Sequence, residues 1–316
     1  MNESLKKKFS IAVSFGQITP HEYIFLLDKY KEYIRDIYFS PTESIRYQTR
    51  NKIYDFANTT NEERRSMLQK VLSFAKNHNI ACNMTLNAPM ISAIEQAHMY
   101  QSYSTLFQID RVTTTQEIAQ CLREQGSNSK LICSYNEGIT TRKHLLNIIE
   151  SGLFDSIVLG GKFLRDITTF NLIKKKGLQT ILMLNTGCCM NCASFCKIRN
   201  GKYCVDLFNT NVNKIGVERM YAIQSVFPEE IRDFYLQTDV IDTYKLASRP
   251  IDYYELDKLL QSYISCDSKS YIEKSKTNYH LYGRLAHFIP HYQSFNYETM
   301  LSIKKSLWNT SCMNNN

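Results

Sequence analysis

Short apolar runs rich in Ile, Val, Leu and Phe alternate along this chain with longer stretches whose apolar positions recur at helical spacing. The runs predict strands at Phe9–Phe15, Asp36–Ser40, Ala81–Leu86, Leu106–Val112, Lys130–Tyr135, Ser156–Leu159, Thr180–Leu184 and Ile241–Leu246. Most starts lie about 25 residues apart, the length of one strand plus one helix. Two intervals are longer. One holds Pro41–Asn58 and the other a cysteine-rich stretch.

Helix starts are marked by capping chemistry. Thr19-Pro20-His21-Glu22 supplies an N-cap hydroxyl, a proline at the first helical position and a glutamate three residues on. Thr60 and Glu63 repeat the capping pair. Thr141, Asp166 and Asp252 each precede an amphipathic run, Pro228-Glu229-Glu230 opens another, and Gly152 and Gly177 stand where C-terminal caps belong.

Eight strands, each followed by a helix, predict an α/β fold: a (β/α)8 TIM barrel over residues 1–266, with a short C-terminal extension, 267–316, packing on the barrel. An open doubly wound sheet is the competing architecture. It calls for a glycine-rich phosphate loop after the first strand, and Ser14–Thr19 contains only Gly16.

Composition narrows the picture further. No stretch approaches the roughly 20 apolar residues of a membrane span, and the N-terminal apolar run reads as a first strand rather than a signal peptide, so a cytoplasmic address is expected. A net charge of +8 admits an anionic partner such as RNA. The basic residues are nevertheless spread along the chain, with runs only at Lys6–Lys8 and Lys174–Lys176, as on solvated element ends.

Five of the ten cysteines, Cys188, Cys189, Cys192, Cys196 and Cys204, fall within CCMNCASFCKIRNGKYC, after the seventh strand. In a reducing compartment such clustering points to metal or redox chemistry. Soft thiolates select zinc or iron–sulfur centres, and loops after the strands form the active face of a barrel. Cys189-x-x-Cys192 suits a zinc knuckle, but no second CxxC follows. The irregular spacing favours an iron–sulfur cluster, with zinc as the alternative. The expected ligands are Cys188, Cys192, Cys196 and Cys204, with Cys189 or Cys266 as alternates and Cys133 a further substitute. The CxxxCxxC signature of radical-SAM enzymes is absent, as are an HExxH helix and a recognisable Ser/His/Asp arrangement.

Asn87, Asn136 and Asn185 are expected at the barrel mouth, at the ends of strands three, five and seven, as hydrogen-bonding groups for a substrate or for cluster sulfurs. Turn chemistry explains asparagines there equally well. Arg249, after strand eight, is a candidate clamp for a carboxylate or phosphate.

LNTGCCMNCASFC resembles the N-x-G-C-x-x-x-C segment of the collagenase-like peptidase family, the unassigned-type peptidase family thirty-two, which includes the UbiU and UbiV proteins of oxygen-independent ubiquinone hydroxylation and several RNA hydroxylases. IVLGGKFLRD, FPEEIRDFYLQTDVIDTYKLASRP, MTLNAP and SYNEGI match further segments in order, from about Phe9 to Ile264. The resemblance implies a barrel and, for several members, a 4Fe-4S cluster on cysteines. It also implies redox hydroxylation of an organic or macromolecular substrate (RNA, peptide or small molecule) and a second family member or redox partner. The chain departs from the family where Ala193 replaces a proline, where a histidine is missing, and where Cys196 and Cys204 are added. A non-catalytic peptide- or RNA-binding module with a structural metal is the alternative function, and peptidase activity the third.

Overall fold

The computed structural model describes residues 2–15, 18–47, 59–88, 90–185, 222, 225–246, 252–269 and 297–313. Its strands are β1 (Phe9–Ala12), β2 (Ile34–Phe39), β3 (Ala81–Leu86), β4 (Arg111–Thr114), β5 (Lys130–Cys133), β6 (Ser156–Leu159), β7 (Gln179–Met183) and β8 (Thr243–Lys245). They pair in parallel in chain order, and β8 closes on β1. The fold is therefore a (β/α)8 barrel, and the doubly wound alternative falls.

The helices are α1 (Pro20–Tyr30), α2 (Asn61–Asn77), α3 (Ala93–Leu106), α4 (Gln116–Glu124), α5 (Arg142–Glu150) and α6 (Ile167–Lys175). The seventh, α7, starts at Pro228–Glu230, widens into a π-turn over Ile231–Tyr235 and ends with Leu236–Thr238. Then come α8 (Tyr253–Ser265) and α9 (Tyr297–Met313).

The expected caps are present: Thr19 and Thr60 form reciprocal boxes with Glu22 and Glu63, and Thr141, Asp166 and Asp252 accept from backbone N–H groups at the third helical position. Ser92 adds a box with Glu95 that the sequence reading had not singled out. Gly152 and Gly177 adopt left-handed φ values of 66° and 78°, open to glycine at little steric cost. Each helix then buries one stripe. In α1 it is Tyr23, Leu26, Leu27 and Tyr30, the i, i+3, i+4, i+7 pattern.

Strand four differs from the expectation. The run Leu106–Val112 is not one strand, because α3 extends through Leu106, where Phe107 donates its N–H to Tyr103 O. The turn that follows is fixed by Asp110, whose carboxylate accepts from Cys82 N, and β4 starts at Arg111. An apolar run of this length does not distinguish a helix end from a strand. The first, fifth and eighth strands are shorter than expected, ending at Ala12, Cys133 and Lys245, where the chain leaves the ladder for the mouth loops.

Successive strand side chains point alternately to helices and lumen. Ile11, Ile37, Met84, Val112, Leu182 and Tyr244 join the main core under the helices, while Ile132, Val158, Ile181 and Met183 form a separate inner cluster. The lumen is two-sided. β5 to β7 line it with that apolar cluster; β1 to β4 and β8 contribute Ser10, Asp36, Tyr38, Asn83, Thr85, Thr113 and Lys245, all buried.

Candidate functional site

At the N-terminal end of the lumen the polar half is cross-braced. Asp36 accepts from Ser10 Oγ and faces the Arg111 guanidinium at 3.6 Å, while Arg35 donates to Asp242 O, Thr243 Oγ1 and Gln179 Oε1. This plug leaves the C-terminal face as the side where a site is built, as in other barrels.

Two groups meet at that face. Lys245, the last residue of β8, lies within the barrel with Nζ 4.0 Å from the centroid of the Tyr38 ring, a cation–π distance, and the Tyr38 hydroxyl donates to Leu246 O at 2.6 Å. Ala12 of β1 stands in register with Tyr38, and its small side chain lets groups of β2 and β8 meet across β1. Nearby on the polar side Thr85 Oγ1 is buried without a hydrogen-bond partner.

The second group is an asparagine–serine cluster. Asn87 Nδ2 donates to Ser134 Oγ at 2.8 Å, Asn136 N donates to the same oxygen at 3.1 Å, and Asn136 Nδ2 reaches Asn87 O at 3.4 Å. The loop carrying Asn87 is held by Gln96 of α3, which donates to Ala88 O and Ile91 O and accepts from Ala88 N. Gly160 makes room for the neighbouring Tyr135 ring: a Cβ at Gly160 would lie 2.9 Å from Tyr135 Cε2.

Of the residues singled out from sequence, Asn87 and Asn136 are thus brought together. Asn185 is buried elsewhere on the same face and forms an antiparallel bridge with Ser225; beside it Val226 N donates to Leu184 O at 2.8 Å. The bridge sets Ser225 beside Asn185, two residues past the end of β7. Cys188, Cys189, Cys192, Cys196, Cys204 and Arg249 lie outside the described residues.

The described cysteines are dispersed. Cys82 and Cys133 point into the helix–strand core, Cys121 is half-buried on α4, and Cys266 ends α8 in a left-handed conformation. A helix that follows a barrel strand runs back to the N-terminal pole, so Cys266 sits at the end opposite the one where β7 delivers the chain. Burial pushes the Cys82 thiol up to about 12 and Cys266 to about 11, and also raises Cys133. All three are therefore kept as thiols, whereas ligation needs thiolate. Among the described residues no group of three or more His, Cys, Asp or Glu is placed to hold a metal ion. Native protein treated with iodoacetamide at pH 8 is expected to be labelled at Cys121 and not at Cys82, Cys133 or Cys266. Peptide mapping checks this, and labelling of Cys266 at the rate of Cys121 would refute it.

Sequence reasoning passed over a buried charge cluster beside the bridge. Arg165, just before α6, donates through Nε and Nη2 to Glu230 Oε1 at 2.9 and 2.5 Å. Lys304 of α9 meets Glu230 Oε2 at 3.0 Å, Trp308 Nε1 donates to Oε1 at 2.9 Å, and Phe227 N donates to Oε2 at 2.7 Å. Burial alone would raise the Glu230 carboxyl, but Arg165 and Lys304 outweigh it and hold the group below the ordinary glutamate value. No local signal pairs these residues: Arg165 and Glu230 lie 65 residues apart, and Lys304 falls in the C-terminal extension.

No family model and no curated protein matches this chain. Solved structures of related backbone include the U32 peptidase Mk0906, at 10% identity over 75% of this chain and 91% of that chain with a TM-score of 0.45. They also include dihydrodipicolinate synthase from Oceanobacillus iheyensis, at 12% identity over 83% and 98% with a TM-score of 0.35, and an α-amylase from Lactobacillus plantarum, at 7% identity over 59% and 64% with a TM-score of 0.35. The barrel stands on its own strand pairing, independent of these likenesses. Among the described residues no helix is long and apolar enough to cross a membrane.

Proposed function

We propose that this chain is a redox enzyme of the oxygen-independent hydroxylase type, with an iron–sulfur cluster held by Cys188, Cys192, Cys196 and Cys204 at the C-terminal face of the barrel. The observation that carries this reading is the Asn185–Ser225 bridge. It brings together Asn185 and Ser225, which flank in sequence all five clustered cysteines, next to the C-terminal end of β7. The donor chemistry agrees with it: these thiols are soft and closely spaced, while Cys82, Cys133 and Cys266 are buried and protonated. When bound, a cluster supplies one-electron redox chemistry and Lewis acidity at iron.

The chain's own residues supply the rest. Lys245 places a positive charge at the mouth, suited to an anionic group of an organic or macromolecular substrate. Asn87, Ser134 and Asn136 present amide and hydroxyl groups that orient polar atoms. Met183, Ile181 and Val158 keep the opposite wall dry, which strengthens every electrostatic contact across the mouth.

Anaerobic purification followed by iron, sulfide and zinc assays tests the reading. About four irons per chain with a broad visible band are expected. Alanine at Cys188, Cys192, Cys196 or Cys204 should each abolish most of that iron, while Cys266→Ala should leave it intact. One zinc and no iron would turn the weight to a structural metal in a binding module, and no metal at all would sink the proposal.

A further inference from the structure

α9 adds no strand to the barrel, which closes through its own eight strands. It packs on α7 through Trp308, stacked on Phe234 at 4.3 Å and edge-on to Tyr235 at 5.0 Å. Beside this apolar seat Lys304 is 1% exposed, with Nζ 3.0 Å from Glu230 Oε2 and 4.3 Å from the centroid of the Phe227 ring. It donates to Ala222 O and Ser225 O at 3.1 and 2.6 Å. Among the described residues the charged groups facing it are Glu230 and Glu229 of α7 and Arg165 before α6. Glu229 is engaged by Ser268 N and Oγ, and the other Glu230 oxygen by Arg165 and Trp308. Two cations therefore share one carboxylate in a dry site, where Arg165 alone would balance it.

A neutral amine suits that site better than an ammonium. It keeps two N–H donors for the two carbonyls, and Ser225 Oγ at 3.4 Å is placed to donate to its lone pair. The Arg165–Glu230 pair is then electrically balanced. In water the ammonium is favoured instead. We infer that α9 is a proton-controlled latch: docking favours loss of the Lys304 proton, and the helix grips the barrel more tightly as the solution turns from neutral to alkaline. Burial draws docked Lys304 down to about 7 from the ordinary 10.5; Glu230 opposes the shift and Arg165 adds to it. Between those two values the undocked helix carries one proton more than the docked one, so docking strengthens with pH, about tenfold per unit. Below pH 7 both states hold the proton, and the dependence disappears until Glu230 titrates. The latch stands apart from the iron–sulfur reading, since none of its groups is among the proposed ligands.

Hydrogen exchange at Lys305, Ser306 and Leu307 of α9, corrected for the intrinsic effect of pH on exchange, tests it. Protection there should rise about tenfold from pH 8 to pH 9. It should also stay below that of Met84 in β3, because α9 opens while the barrel remains closed. In Lys304→Met, which keeps the buried volume and removes the titrating group, the rise should vanish. If that variant does not fold, the Lys304 Cε resonance of the wild type decides. A midpoint near 7 is expected, and one within about a unit of the free-lysine value overturns the latch. Wild-type protection that is flat from pH 8 to pH 9, or equal to that of Met84, overturns it too, as does a rise that persists in folded Lys304→Met.

Discussion

Glu230→Ala is expected to lower the free energy of unfolding by about 3–5 kcal/mol, the usual effect of leaving buried cations without their carboxylate. In a chain of this size that is a fall in melting temperature of roughly 5–8 °C. The variant strands the Arg165 guanidinium, takes from Lys304, which burial already draws down to about 7, the carboxylate that holds its charge, and removes the acceptor of Trp308 Nε1 and Phe227 N. Thermal and urea unfolding followed by circular dichroism checks the magnitude, and a loss under about 1 kcal/mol would mean that water reaches the cluster. The same carboxylate makes a pH statement. Its folded value lies below the ordinary 4.5, so its contribution is fully present above pH 4.5 and is lost as the pH falls through the folded value. Glu230→Gln should flatten that acid limb of the stability curve; it also removes the charge that holds the buried Lys304 ammonium up at about 7, so the Lys304 titration moves further down.

The second large effect is expected inside the barrel. Asp36 is fully buried between Ser10 and Arg111, with Arg35 beside it. Burial, and then Arg111, already draw the Arg35 guanidinium down, and Asp36 opposes them. Asp36→Ala leaves two guanidinium groups facing each other at the N-terminal plug, at a cost of about 3–5 kcal/mol. Asp36→Asn keeps the shape and the bond from Ser10, and isolates the charge. Denaturant titration of the pair separates the two effects. Equal losses would assign the effect to charge, and a much smaller loss in Asp36→Asn would assign it to packing and hydrogen bonding.

How much of this was legible in advance follows from the range of the interactions. The caps at Thr19, Thr60, Thr141, Asp166 and Asp252 lie within three residues of their partners, so local chemistry gives them away. Strand order followed from regular spacing. Strand four was misplaced because Leu106 and Phe107 close a helix whose apolar residues run on toward the strand. Asn87 and Asn136 were placed at the mouth from strand ends, but Ser134, which joins them, left no pattern. The Arg165–Glu230–Lys304 cluster was invisible because its members are separated by 65 residues and more, and no local rule pairs them. Lys245 was readable in principle: a lysine inside the short buried run Thr243–Lys245 is an anomaly that demands a partner.

The chain contains a single tryptophan, and it is Trp308. Its indole is buried, stacked on one ring, edge-on to another, and hydrogen-bonded to an ionised carboxylate at the point where the last helix meets the barrel. Emission excited at the red edge of protein absorbance therefore comes from that junction alone. It is a built-in optical probe: a shift toward longer wavelengths marks release of the final helix, and it can be followed in real time without a label while the barrel behind it stays folded.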